Sequence, residues 1–109
     1  MSASAEFVQY VSELLAPLGQ LSAGTFFGGH AIKYHGKQFA MVMGNTLYFR
    51  VSDTTRPAYE RAGSQAFSYS TKKGIVQVRT YYAAPADLLD DPAELLAWAR
   101  LAIGAAGAG

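Results

Sequence analysis

At 109 residues, half of them hydrophobic and 16% charged, the chain fits one domain that can bury a core without staples, and its composition excludes intrinsic disorder. Nine basic against eight acidic residues leave a net charge of +1, far from the basic excess needed to neutralise a duplex, so direct nucleic-acid binding is disfavoured. Without cysteine there is no disulfide, no thiolate nucleophile and no cysteine-ligated zinc or iron–sulfur cluster.

The N-terminal MSASAEFVQ has no basic region ahead of an apolar core, and no apolar run approaches the ~20 residues of a membrane helix, so a cytoplasmic protein with no membrane partner is expected. The first periodic stretch is helical: Phe7, Val11, Leu14 and Leu18 recur at spacings of three and four, and Pro17 with Gly19 should end it. From Thr25 to Val51, short apolar or alternating runs punctuated by glycine predict consecutive antiparallel strands. Turns are expected at His35-Gly36-Lys37 and Gly44-Asn45-Thr46, and the paired Gly28 and Gly29 mark a bulge, a bend or a close backbone approach. The stretch Gln38 to Met43 carries apolar residues on both parities and reads as a central strand buried on both faces. Its neighbours alternate, Ile32 and Tyr34 against Lys33 and His35, then Leu47, Phe49 and Val51 against Tyr48 and Arg50. That pattern predicts one core face and one mostly polar face.

A short helix is expected between Asp53 and Gly63, with Pro57 in its first turn. Two strands follow: Phe67 and Tyr69 alternate with Ser68 and Ser70, a turn falls at Thr71-Lys72-Lys73-Gly74, and Val76, Val78, Thr80 and Tyr82 alternate with Gln77, Arg79 and Tyr81. The last helix is announced by Asp91 as N-cap, Pro92 in the first helical position and Glu94 three residues after the cap. Leu95, Trp98, Ala99 and Ala102 share one of its faces, and Trp98 is expected to be largely buried against Phe7, Leu14 or neighbouring residues of the first helix. Residues 104–109, all glycine and alanine, read as a flexible tail behind a single domain at 1–103. The expected architecture is α+β in two layers, an antiparallel sheet of five or six strands with the N- and C-terminal helices on one face. Its order is helix, three or four strands, helix, two strands, helix.

No constellation of catalytic, metal-binding or cofactor-binding residues emerges. His30 and His35 lack a third ligand at useful spacing, Asp91 is accounted for as a cap with Asp90 a solvated neighbour, and no serine sits in a nucleophile elbow. The set that stands out is Lys33, Tyr48, Arg50 and Arg79, with Tyr81, at strand positions whose parity opposes the core-facing residues. With helices on one side only, these side chains converge on the other face, either as a solvated polar surface or as a binding face of the tyrosine–arginine kind.

Five stretches stand out together: Phe27-Gly28-Gly29 with Ile32; Gly36 followed by Phe39-Ala40-Met41-Val42; Leu47-Tyr48-Phe49-Arg50-Val51; Phe67-Ser68-Tyr69; and Tyr81-Tyr82 through Pro85 and Leu88-Leu89-Asp90-Asp91-Pro92 into Leu96-Ala97-Trp98-Ala99. In this order and spacing they resemble the TfoX N-terminal domain of bacterial competence regulators. The resemblance covers about Gly24 to Ile103. It departs at Gly24, where members often carry an arginine, and at Phe26, where they carry a methionine. It implies a two-layer fold with an antiparallel sheet, similar to that of type III secretion chaperones. It also implies a link to transcription and competence, in which larger members act with the cyclic-AMP receptor protein. The expected function is a non-catalytic module that binds another protein or its own copy as a homodimer, through the basic–aromatic face or a sheet edge. The alternative is a protein that holds a small anionic ligand on that face, or an enzyme of unrecognised type.

Overall fold

The computed structural model describes residues 4–26 and 28–108. Phe27, in the first of the family-like stretches, Gly109 and the first three residues lie outside this range. Helix α1 (Ala5–Leu15) starts where the Ser4 hydroxyl accepts the Phe7 amide at 3.1 Å. A 3-10 turn at Ala16–Leu18, containing Pro17, leads to β1 (Leu21–Phe26), β2 (Gly29–Tyr34), β3 (Lys37–Met43) and β4 (Thr46–Arg50). Then come α2 (Arg56–Arg61), β5 (Ala66–Thr71), β6 (Gly74–Ala83), a second 3-10 turn and α3 (Pro92–Ala108).

The six strands form one antiparallel sheet in the order β1-β2-β3-β4-β6-β5. β6 therefore inserts beside β4, and β5 becomes the edge. The expected α+β architecture is the observed one. α1 and α3 cover one face, where Val11, Leu15, Phe49, Leu95 and Ala99 are fully buried against one another and the sheet. α2 joins the same layer through Tyr59, whose ring meets Trp98 edge-to-face at 4.7 Å.

Local chemistry accounts for the joints. Gly44 opens the β3–β4 turn at φ 60, which a hairpin of this hand requires. Gly29 is held to glycine by proximity, since a β-carbon there would strike the Val42 carbonyl oxygen and the Met43 sulfur. Asp91 caps α3 by accepting the Glu94 amide at 3.3 Å, while the Glu94 carboxylate takes the Trp98 indole N–H at 3.3 Å instead of reaching back to the cap.

Two expectations change. Trp98 is only half-buried, and its ring partner is Tyr59 of α2, because α2 fills the space beside the last helix. Gly104 to Ala108 continue α3, with Ala105 buried, because alanine is the strongest helix former and small side chains let this end settle on the core.

Candidate functional site

Among the described residues no helix covers the second face of the sheet, and β3 decides what lies at its centre. Its alternation sends Ala40 and Val42 toward the helices. Met41 and Met43 go to the other side, where they join Phe67 and Tyr81 in a separate buried cluster flanked by Phe26, Tyr48 and Val78. The middle of this face is thus apolar and aromatic, not mostly polar as the strand alternation predicted.

An irregularity between β5 and β6 explains the difference. Phe67 pairs with Val78 while the adjacent Ala66 pairs with Tyr82, so Arg79, Thr80 and Tyr81 are accommodated against a single step of β5. The bulge resets the alternation along β6. Val76 and Val78, expected on the same face as Tyr82, lie on the uncovered face with Phe67, while Tyr82 enters the helical core.

Lys33, Tyr48, Arg50 and Tyr81 share the uncovered face. Tyr81 is buried, and its hydroxyl crosses β4 to donate to the Gln38 carbonyl at 3.4 Å. Arg50, opposite Tyr81 in register, holds its guanidinium 5.8 Å from that ring's centroid, within cation–π range. Tyr48 meets Phe67 edge-to-face at 5.3 Å, and burial pushes its phenol above the usual value. Lys33, half-buried, stands opposite Gln38. Two buried donors here, Arg50 Nε and Gln38 Nε2, find no hydrogen-bond partner among the described residues.

Arg79 does not join them. Its guanidinium lies 3.6 Å from the Glu60 carboxylate of α2, which also accepts the Tyr82 hydroxyl at 3.3 Å, and this places it on the helical side. Sequence reasoning missed Met41, Met43 and Phe67 as part of this face. The signal was present in β3, whose second apolar parity needs its own cover.

The charges are segregated by layer. All eight carboxylates lie outside the strands: Glu6 and Glu13 in α1, Asp53 and Glu60 at α2, Asp87, Asp90 and Asp91 before α3, and Glu94 within it. The strands and their turns carry Lys33, Lys37, Arg50, Lys72, Lys73 and Arg79. A net charge of +1 therefore conceals a basic sheet beneath an acidic helical layer.

Shallow clefts lie elsewhere. One, of about 390 Å³, sits between the start of α1 and the β1–β2 turn beside His30. Another, of about 480 Å³, is lined by Glu60, Ser64, Gln65, Gln77 and Arg79, and a smaller one of about 210 Å³ lies between Leu18, Tyr34 and Arg100. His35 sits in the β2–β3 turn, away from His30. Among the described residues no group of three or more His, Asp or Glu is placed to hold a metal ion, and no helix is long and apolar enough to cross a membrane.

The fold and this face define a class: a two-layer α+β domain whose antiparallel sheet is covered by helices on one side only. The TfoX N-terminal domain family matches residues 13–106, nearly the whole chain, and the protein belongs to that family. No curated protein sequence matches it significantly.

Proposed function

We propose that this domain is a non-catalytic docking module of the competence-regulator type, which binds a partner protein on the uncovered face of its sheet. One observation carries the reading: an aromatic–apolar cluster and Arg50, with a buried donor left unpaired, occupy a face whose strands hold no carboxylate. Tyrosine and arginine are the residues that anchor interfaces, because they combine large contact area with polar fixing. A buried donor without an acceptor costs about 1–3 kcal/mol, and a carboxylate brought by a partner offsets that cost. Lys33 and Arg50 then select an acidic surface and steer its approach. Competence and transcription enter through the family, and the partner is accordingly a component of that machinery.

The test is affinity capture from native lysate with the wild-type chain, Arg50→Glu and Arg79→Glu in parallel. Proteins captured by wild type should be lost with Arg50→Glu and kept with Arg79→Glu, whose side chain lies on the other side of the sheet. Equal capture by all three removes the reading. A small anion that native mass spectrometry finds on the purified wild type, and not on Arg50→Glu, would replace it with the ligand-binding alternative.

A further inference from the structure

We infer that the β5 edge is a self-pairing surface, through which two copies of this chain join into one continuous sheet, distinct from the face proposed to hold a partner. β4 pairs with β6 only from Tyr81 to Ala83, flanked by bonds from the Val51 amide to the Thr80 carbonyl and from the Ala84 amide to the Leu47 carbonyl, each at 2.8 Å. Beyond that point β6 pairs with β5 alone, although Phe67 and Val78 still pack with Met41 and Met43 and the Arg79 carbonyl accepts Arg56 Nε. Every residue from Ser68 to Gln77 is exposed, and the arm displays Ile75 at 72%, Tyr69 at 40% and Val76 at 40% exposure. A two-stranded hairpin is marginal by itself in water, and further strands are what stabilise it. β5, with the sequence AFSYST, carries few of the devices that guard an edge beyond the register shift at Ala66/Phe67 and the lysines of the following turn. It has no charge, no proline and no register break between Phe67 and Thr71.

A second copy fits this edge because the chain supplies both halves of the contact. In a hairpin closed by the two-residue turn Lys72-Lys73, the backbone groups of Ser68 and Ser70 point away from β6. Antiparallel pairing about a two-fold axis at Tyr69 sets Ser68 of each copy against Ser70 of the other. Lys72 and Lys73 then fall beside the second copy's Ala66 and Gln65, residues that line one cleft with the half-exposed Glu60 carboxylate. Attraction between copies follows. Equivalent lysines sit about 20 Å apart across the axis, beyond the ~8 Å Debye length at physiological salt, so self-repulsion is screened. The axis runs through the sheet, so Phe67, Tyr69, Val76 and Val78 of both copies form one strip on the same side.

Sedimentation equilibrium of the full chain from low to high micromolar concentration tests this. The wild type should dimerise. Tyr69→Lys sets two ammonium groups across the axis, and Ser70→Pro removes an outward amide. Each should weaken the dimer at least roughly a hundredfold while leaving the circular dichroism and Tm in place. If Ser70→Pro fails to fold, Tyr69→Lys decides. Lys73→Glu should weaken the dimer, and adding Glu60→Lys should restore it. Arg50→Glu should leave it unchanged, so loss of partner capture and loss of self-pairing are read separately. A monomeric wild type, a dimer that survives Tyr69→Lys, or a dimer abolished by Arg50→Glu overturns the inference.

Discussion

The two faces of this sheet bury their apolar side chains by different means, a large cluster under the helices and a small one on the other side. On the helical face, Phe49 and Val42 meet Leu15 of α1 and Leu95 and Ala99 of α3, and all of these side chains are fully buried. On the uncovered face, Met41, Met43, Phe67 and Tyr81 are sheltered by their neighbours, by the Arg50 guanidinium and by the Tyr81–Gln38 hydrogen bond. Methionine and tyrosine suit that position because one adapts its shape and the other joins an apolar body to a polar tip. The helical face is finished by the chain itself. The other has the composition of an interface core, and it is there that two buried donors remain unpaired.

The helical face should dominate stability. Phe49→Ala should cost about 3–5 kcal/mol, read by denaturant titration, since it opens a cavity between sheet and helices. A loss under about 1 kcal/mol would show that the covered side is not the main core. On the opposite face, Gly29→Ala should cost about 1–3 kcal/mol, because the new methyl meets backbone at the Val42 carbonyl and only the Met43 side chain can yield.

Alkaline pH sharpens the contrast further. Burial raises the Tyr59 phenol well above its usual value of 10.0, and raises Tyr48 as well. A raised phenol keeps the folded state neutral, so its contribution is complete below the unfolded value and is lost as pH climbs from 10 through the folded one. Unfolding free energy should therefore fall above pH 10. Tyr59→Phe should remove more of that fall than Tyr48→Phe, as measured by urea titration across the range.

The smallest effect on stability belongs to Arg50→Met. It removes an unpaired buried donor, a relief of about 1–3 kcal/mol, and with it the cation–π contact on Tyr81, a loss of about 0.5–2 kcal/mol, so the net change should stay within about 1 kcal/mol. Partner capture should nevertheless be lost. A large stability loss would instead make Arg50 part of the scaffold.

Much of the fold was readable locally. Asp91-Pro92 marked the start of α3, the double apolar parity of β3 marked a strand buried on both sides, and the turns at Gly36 and Gly44 fell where their residues demanded. Each depends on residues within a few positions of one another, where backbone geometry and capping chemistry act directly. Arg79 and Trp98 were not readable in that way. Arg79 was assigned a face by counting along β6, but the pairing with β5 slips between Val78 and Tyr82, and only the partner strand reveals the slip. Trp98 was expected against α1 because both helices carry an apolar stripe, yet a stripe does not say which neighbour arrives, and Tyr59 of α2 took the place. Residues near one another in the chain set most of the elements, the Asp91 cap of α3 and which strand is central. The strand order, the face each β6 side chain occupies and the separation of an acidic layer from a basic one came from packing, because strand register and layer contacts are set by residues far apart in the chain.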